Sequence, residues 1–426
     1  AWALLTTAVK RSAALSDEFL PIAVLSGVYL ASSLALGSAR GLRLFAATFA
    51  GCAALVAVVA LVQATRPFGC FLGAATDWEG KGELQFDGRP CETVLDCRKD
   101  APVEDGNYRC ERVGPLGTST IGGRIRYRGS LADPNELSLT LAAAIPLAIA
   151  LFDVERERRR RGAPTPEARK PRVALPVLLT DRFVARAVAA ARAVPVGVLI
   201  TMFGVAVVLS KSRSGLIVYL LVLGIYFVRR IGAWGVVAGC VVGPPMLLFG
   251  GRSGAEATES SDERAQLLRE AFEFIRNTKG TGLGLGGFPD ESSIGLTAHN
   301  AYVLAAAECG LVGFLLFGVA LYLAIKVPYA IWFGDYAVSR VTGRFAIALA
   351  VTMTGAVVGI FFLSWTYKDV LWMLLGASAA LYAAARAEDQ RVRVRLGARE
   401  AFFVPLALLA LLAATYVATR IAAPHH

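Results

Sequence analysis

The chain has 426 residues, of which 55% are hydrophobic, and a formal net charge of +11. Its mean hydropathy is +0.54. Soluble domains rarely exceed about half apolar residues, so this composition excludes an ordinary soluble enzyme and indicates a membrane protein. The positive charge does not indicate nucleic-acid binding, because the arginines lie between apolar runs, where the orientation of membrane helices explains them.

Ten apolar runs approach the length of about 20 residues that crosses a bilayer. They cover residues 18–38, 41–64, 135–152, 193–210, 215–231, 232–250, 300–326, 344–365, 369–386 and 401–421. Residues 1–9 are also apolar, and we interpret them as the tail of a helix that begins upstream. Charged side chains interrupt residues 173–192, which are expected to form an amphipathic helix on the membrane surface. The predicted fold is an all-α polytopic membrane protein.

Lysine and arginine set the orientation, because they recur in alternate short loops, which are therefore cytoplasmic. Two long loops then face outward. The resulting organisation has N-terminal transmembrane helices (1–64), an extracytoplasmic cysteine-containing loop (65–134), transmembrane helices with a basic cytoplasmic loop at 153–172 (135–250), a large periplasmic loop (251–299) and C-terminal transmembrane helices (300–426).

The first outward loop contains four of the seven cysteines, namely Cys70, Cys91, Cys97 and Cys110. An even set in a loop exposed to an oxidising compartment indicates two disulfides, for which three pairings are possible. A zinc site is the alternative, but the spacing lacks closely paired cysteines and no histidine lies nearby. The other three, Cys52, Cys240 and Cys309, lie inside predicted spans and are expected to be buried thiols.

The second outward loop contains a glycine-rich run over residues 281–288, which includes Gly284 and Gly286. Such a run forms a linker, a turn that only glycine tolerates, or an anion site made of backbone N–H groups. It does not follow a strand and open a helix, which excludes a dinucleotide-binding fingerprint. Upstream, helical apolar spacing predicts a helix over 262–275, capped by Ser260 or Ser261, with Arg264 near its start.

Further arginines lie at the predicted outward surface. Arg213 stands in the short turn Lys211–Gly215 between two spans. Snorkelling explains it as well as function does, although an outward charge opposes the usual bias. The first outward loop ends with three arginines, Arg124, Arg126 and Arg128. They precede Asp133-Pro134-Asn135, a predicted helix start.

His299 immediately precedes the predicted span that begins at Asn300, and the only other histidines are His425 and His426. Glu308 lies nine residues further along, where a carboxyl is costly unless it is paired. At 100° per residue it faces away from His299, so we expect it to support the fold or contact another helix.

These residues together suit one kind of chemistry. Arginine binds phosphate through a planar fork that stays ionised, and histidine accepts a proton near neutral pH. A membrane location suggests that the phosphate belongs to a lipid diphosphate, which leaves as a hydroxyl attacks.

The motifs resemble those of the O-antigen ligase and O-antigen polymerase superfamily, which also includes protein O-oligosaccharyltransferases. The resemblance covers roughly residues 120–325. It is carried by His299-Asn300 followed by Gly310 and Gly313, Ser212-Arg213-Ser214-Gly215, the glycine-rich run Gly282–Phe288, Asp133-Pro134-Asn135 and Arg264.

The resemblance implies a helical bundle like that of type C glycosyltransferases, with a helical periplasmic loop domain, in the bacterial inner membrane. It implies transfer of a glycan from undecaprenyl diphosphate to a hydroxyl, with inversion and without a metal or another cofactor. Its expected site has His299 as the catalytic base and Arg213 and Arg264 on the diphosphate. Possible supporting residues are Arg128, Asn135, Gly284, Gly286, Asn300 and Glu308.

Several alternatives remain open at this point. An O-antigen ligase with a lipid A–core acceptor is favoured over a polysaccharide polymerase or a protein glycosylase. A transporter of the same lipid-linked saccharide would place its ionisable residues near the bilayer midplane, between broken helices, whereas most candidates here lie at the outward surface. Asp262 and Glu263, together with Asp290 and Glu291, are a weaker alternative as a divalent-metal site. The four-cysteine loop is not a feature that we associate with the family.

Overall fold

The structure is a computed structural model that describes residues 1–73, 84–99, 102–103, 106–161, 181–249 and 255–421. Helices dominate it. They are α1 (Trp2–Lys10), α2 (Leu15–Ala35), α3 (Ala39–Gln63), α4 (Val94–Arg98), α5 (Pro134–Arg161), α6 (Asp181–Leu209), α7 (Arg213–Ile231), α8 (Ala233–Phe249), α9 (Ala255–Asn277), α10 (Gly287–Glu291), α11 (Ala301–Phe333), α12 (Arg340–Gly359), α13 (Asp369–Glu388) and α14 (Ala398–Ile421). Three strands are present, β1 (Phe68–Gly73), β2 (Gln85–Pro90) and β3 (Asn107–Arg112).

Each of the ten predicted spans coincides with a helix, and the prediction of an all-α polytopic membrane protein is confirmed. Within the described residues, seven helices are long and apolar enough to cross a membrane. They contain residues Ser12–Ala35, Ala39–Gln63, Pro134–Arg159, Ala301–Phe333, Arg340–Phe362, Asp369–Glu388 and Ala398–Ile421. The remaining three predicted spans fall on α6, α7 and α8. Among the described residues, α6 and α8 contain the shorter apolar stretches Val194–Leu209 and Ala233–Pro245. Large apolar side chains on the outer faces, such as Leu34 and Trp234, are exposed, as a lipid-facing surface requires.

Helix α5 lies at the centre of the bundle and contacts α3, α6, α7 and α12. Its residues 137–148 are buried, and small alanine side chains let the neighbouring helices approach closely. It begins at Pro134, as the Asp133-Pro134 pair predicts, and the Asp133 carboxylate accepts a hydrogen bond from Asn135 N at 2.7 Å. Because α5 is central, its first turn is fixed relative to the four helices that α5 contacts.

The basic segment after this span is partly helical, which differs from the predicted loop over 153–172. Helix α5 continues to Arg161, because Glu and Arg favour helix and Arg159 pairs with Glu155 one turn away. Arg344 of α12 also bonds Asp153 and Glu157. Residues 162–172 of that loop, and 173–180 of the predicted amphipathic helix, lie outside the described residues.

The first long loop contains a small antiparallel sheet that the sequence did not predict. Its strand order is β2-β1-β3, and glycines and charged residues obscure the alternation in these six-residue strands. Disulfides join Cys70 to Cys97 and Cys91 to Cys110, with Cα–Cα distances of 5.3 and 6.0 Å. We call the sheet, α4 and the two disulfides the four-cysteine subdomain.

The prediction of three buried thiols is partly wrong. Cys309 is buried, but Cys52 and Cys240 are exposed on the outer faces of α3 and α8. A thiol packs as a small apolar group, so a lipid-facing position is as favourable as a protein core. Hydropathy alone cannot distinguish the two environments, because both are apolar.

Candidate active site

The turn between α6 and α7 places Arg213 at the start of a helix. Ser212 is the N-cap of α7, and its hydroxyl accepts a hydrogen bond from Gly215 N at 3.1 Å. Lys211 has a φ of 49°, a left-handed conformation that is uncommon for a residue with a side chain. A Cβ at Gly215 would lie 2.0 Å from Ser138 Oγ, so glycine allows α7 to pack directly against α5.

Helix α9 provides a second arginine. It begins at Ala255, several residues before the predicted start, so the prediction that Ser260 or Ser261 caps it is wrong. The sequence before Ser260 is rich in Ala and Glu, which favour helix and extend it. Ser260, Ser261 and Arg264 instead lie three and four residues apart on one face of the helix.

A third arginine, Arg124, comes from the end of the first long loop and is almost fully buried. Its Nε donates to Ser210 O at 2.8 Å, and its Nη2 donates to Asn135 Oδ1 at 3.2 Å. The Asn135 amide in turn donates to Asp133 Oδ1 at 2.9 Å. This network holds the guanidinium against both the end of α6 and the start of α5.

These three segments enclose a cavity of about 130 Å³. Its described lining residues are Arg124, Asn135, Lys211, Arg213, Ser214, Ser260, Ser261 and Arg264. Four of them are cationic, and no Asp or Glu is found among the described residues that line it. Cationic side chains around one concave surface attract anions, and arginine forks match phosphate oxygens. The cavity therefore suits a small, multiply charged anion.

The start of α11 lies at the same end of the bundle as this cavity. Thr366 Oγ1 donates to Ala301 O at 2.9 Å, and Lys368 forms an ion pair of 2.8 Å with Glu136 at the start of α5. One short segment thus touches the first turns of both α11 and α5. We call this end of the bundle the site end.

His299 precedes the N-cap of α11 at the site end. Asn300 accepts hydrogen bonds from Tyr302 N and Val303 N at 3.0 and 3.1 Å. His299 itself is half-buried and has a φ of 49°. Left-handed backbone at a non-glycine residue costs free energy and is concentrated at functional sites. The capped start of α11 therefore fixes the position of the His299 backbone.

The structure brings some of the predicted residues together and separates others. Arg213, Arg264 and Asn135 line the cavity, and His299 lies at the same end but is not among the described lining residues. Arg128 is exposed outside the cavity, where its guanidinium lies beside Gly117. Arg124 and Lys211 line the cavity although neither was predicted as a site residue.

The glycine-rich run packs against a break in α11. Gly310 interrupts this helix with φ 69° and ψ 179°. Across the break, Leu283 N donates to Ala307 O, Gly284 N donates to Glu308 O, and Leu311 N donates to Gly280 O, each at 2.9 Å. The predicted supporting residue Gly284 therefore uses its N–H within the protein, and of the three interpretations of this run the structure favours a turn that needs glycine.

Glu308 and Gly286 also belong to this junction. The Glu308 carboxylate is buried and accepts a hydrogen bond from Phe288 N of α10 at 3.2 Å, so it holds the loop. Gly286 has a φ of 62° and precedes α10, close to Glu18 of α2. Glu308 therefore bonds the end of the glycine-rich run, to which Gly286 itself belongs. Glu308 lies further along α11 than its start beside His299.

Helix α1 and the residue that follows it, Arg11, pack against the same junction. Trp2 Nε1 donates to Cys309 O at 2.9 Å, beside the break. Thr7 Oγ1 accepts from Leu285 N at 2.9 Å, and Arg11 Nη1 donates to Leu285 O at 2.7 Å. Arg11 also pairs with Asp290 of α10, so one of the carboxylates considered for a divalent metal is engaged in an ion pair.

Comparison with known proteins identifies the region that contains these features. Residues 197–318 match the model of a family described as O-antigen ligase. The matched region runs from within α6 to within α11, and it contains Arg213, Arg264, His299 and the junction at Gly310. No curated protein and no solved structure matched the chain.

Proposed function

We propose, from the premise that residues 197–318 belong to the O-antigen ligase family, that this membrane protein transfers a glycan from undecaprenyl diphosphate to an acceptor hydroxyl. We propose that the reaction occurs at the periplasmic face of the bacterial inner membrane and that the favoured acceptor is a lipid A–core glycolipid. The observation that carries the proposal is the cationic cavity in which Arg213 of α7 and Arg264 of α9 meet at the site end.

The cavity suits the leaving group of such a reaction. As the bond between the anomeric carbon and the diphosphate oxygen breaks, negative charge grows on the diphosphate. Arg213 and Arg264 stand on different helices and line the same cavity, so both forks are available to one anion. Groups placed in advance around developing charge lower the barrier without reorganisation. The diphosphate is thus the part of the donor that this cavity binds.

His299 is proposed as the base. Its imidazole removes the proton of the acceptor hydroxyl while that oxygen bonds to the anomeric carbon, opposite the departing diphosphate. A single displacement of this kind inverts the anomeric centre. The α11 N-cap and the left-handed backbone at residue 299 hold the imidazole at the site end. No step in this mechanism requires a metal ion, so transfer should persist in a strong chelator.

The test uses the purified chain in lipid nanodiscs, with undecaprenyl-diphosphate-linked glycan as donor. Lipid A–core, free glycan and a serine-containing peptide are offered as separate acceptors. Mass spectrometry then shows which acceptor gains a glycan, and a ladder of products would indicate a polymerase instead of a ligase. Transfer to none of the three acceptors, with intact donor present, would contradict the proposal.

Two variants separate the roles of the residues. His299→Ala should lose transfer by about 10²–10⁴-fold and still bind the donor, because the imidazole acts on the acceptor. Arg213→Lys should weaken donor binding, because a point charge does not replace a fork. The matched control is Arg229→Lys, at the opposite end of the same helix α7, which should behave as the wild type. Full donor affinity in Arg213→Lys would refute the assignment of that residue.

A further inference from the structure

We propose that Arg124 is a third, fixed arginine ligand of the donor's diphosphate, and that Glu111 of the four-cysteine subdomain positions it. The proposal rests on the proposed function, since it concerns the same cavity. It gives a role to the loop that sequence reasoning left unexplained.

Arg124 is held more firmly than an ordinary surface arginine. It is buried, it lines the cavity, and it donates to Ser210 O and to Asn135 Oδ1. These two hydrogen bonds orient the guanidinium within the cavity wall. An arginine fixed in this way loses little side-chain entropy when an anion arrives, which favours binding.

The backbone of Arg124 is fixed by a tight hairpin. Arg124 N donates to Ile121 O and Ile121 N donates to Arg124 O, both at 3.0 Å. The two residues between them, Gly122 and Gly123, have φ values of 54° and 67°. Two consecutive left-handed residues are typical of a type I′ turn, for which glycine is suited. The hairpin therefore ends with Arg124 aimed at the cavity.

Glu111 holds this hairpin from the sheet. Its buried carboxylate accepts hydrogen bonds from Gly122 N at 2.6 Å, Gly123 N at 3.3 Å and Thr120 Oγ1 at 2.6 Å. Charge-assisted bonds to backbone N–H groups are among the stronger hydrogen bonds in proteins. Glu111 lies in β3 next to Cys110, whose disulfide with Cys91 ties that strand to the chain that follows β2. The subdomain is thus a rigid support behind Arg124.

A diphosphate can accept hydrogen bonds from an additional arginine in this cavity. Its two phosphate groups offer more acceptor oxygens than the forks of Arg213 and Arg264 can occupy. Arg124 belongs to the wall that is built on α5 and α6, whereas Arg264 belongs to α9. The cavity therefore has cations from separate segments of the chain, which suits a ligand with two linked phosphates.

The experiment measures binding to the full chain in nanodiscs, with inorganic diphosphate and undecaprenyl diphosphate as separate probes. Arg124→Gln should weaken binding of both probes by about ten- to hundredfold, the loss of a hydrogen bond to a charged group. Two matched controls should leave affinity unchanged. Arg126→Gln removes another buried arginine of the same loop. The Arg126 guanidinium donates to Ser119 O and Oγ, and Arg126 is not among the described residues that line the cavity. Arg112→Gln alters the half-buried arginine beside Glu111 in β3.

Glu111 is tested through its coupling to Arg124. Glu111→Ala should weaken diphosphate binding in the wild-type background and have no further effect when combined with Arg124→Gln, because it acts through that residue. Glu111→Gln, which keeps one acceptor oxygen, should restore part of the affinity. A residue that only supports folding would lower the unfolding temperature without this dependence on Arg124.

The outcomes separate this inference from the proposed function. If Arg213→Lys loses binding while Arg124→Gln binds within twofold of the wild type, Arg124 is not a ligand and the proposed function stands. If the wild type binds neither probe, the diphosphate assignment of the cavity fails, and the role of Arg124 fails with it. If Glu111→Ala lowers affinity equally in both backgrounds, the positioning role is refuted.

Discussion

Substituting Gly310 by alanine should disrupt the junction between the glycine-rich run and α11. The backbone there has φ 69° and ψ 179°, a region that is essentially restricted to glycine and costs other residues about 1–3 kcal/mol. A Cβ would also lie 2.6 Å from Gly280 O, and overlap of this kind costs about 1–3 kcal/mol more. The sum, roughly 2–6 kcal/mol, is a large part of a stability of about 5–15 kcal/mol.

The assay is thermal unfolding of the purified protein in detergent, followed by intrinsic fluorescence, together with glycan transfer. Gly310→Ala should lower the unfolding temperature by roughly 2–7 °C, at about 1 °C per kcal/mol for a chain of 426 residues. It should also reduce transfer, because the junction supports the loop that leads to His299. Gly343→Ala is the matched control. Gly343 lies in α12 with nothing within 4 Å of an added Cβ, so alanine should be neutral or stabilise by up to about 1 kcal/mol.

A second substitution tests the same contact from the opposite side. Gly282 has a φ of 87°, and a Cβ there would lie 2.3 Å from Glu308 O. Gly282→Ala should therefore destabilise the protein as Gly310→Ala does. The double variant should cost less than the sum of the two, because either change already separates the loop from the helix. Unfolding temperatures for Gly310→Ala and Gly343→Ala that do not differ would refute this reasoning.

Three further predictions concern other parts of the molecule. Gly215→Ala should weaken donor binding measured in nanodiscs, since the added Cβ displaces the start of α7 that carries Arg213. Replacing Cys91 and Cys110 together by serine should destabilise the four-cysteine subdomain by about 3 kcal/mol for a separation of 19 residues, which protease sensitivity of the first loop would reveal. Hydrogen bonds from Arg391 and from a backbone N–H hold the pKa of Asp389 below its usual value. The stability that Asp389 contributes is therefore present above about pH 4 and lost as the pH falls through the lower folded-state pKa, so the difference in unfolding temperature between the wild type and Asp389→Asn should shrink on acidification.

The sequence predicted the helices and two cavity arginines for reasons that are local. Long apolar runs and Lys/Arg bias identify membrane helices without any knowledge of packing. Arg213 and Arg264 stood out because each occupies a place that the family motif marks. The start of α5 at Pro134 was equally readable, since Asp and Pro at a helix entrance act within a few residues.

What the sequence did not predict depends on packing between distant segments. Arg124 lines the cavity at the end of a two-glycine hairpin that bonds Glu111, and that arrangement joins residues that are far apart in the chain. Lys211 was visible in the turn, but nothing local distinguished it from a snorkelling lysine. The three strands were missed because they are short and a disulfide network, not hydrophobic alternation, holds them.

The break in α11 gives the spacing between His299 and Gly310 a structural role. Backbone groups freed inside a membrane helix must find partners within the protein. Here the carbonyls of Ala307, Glu308 and Cys309 accept from Leu283 N, Gly284 N and Trp2 Nε1. The run from Gly280 to the start of α11 is thus anchored at the break, and it returns along the helix to His299. Moving Gly310 by one position would rotate that anchor by about 100° around the helix, so the distance from histidine to glycine fixes how the loop presents the imidazole.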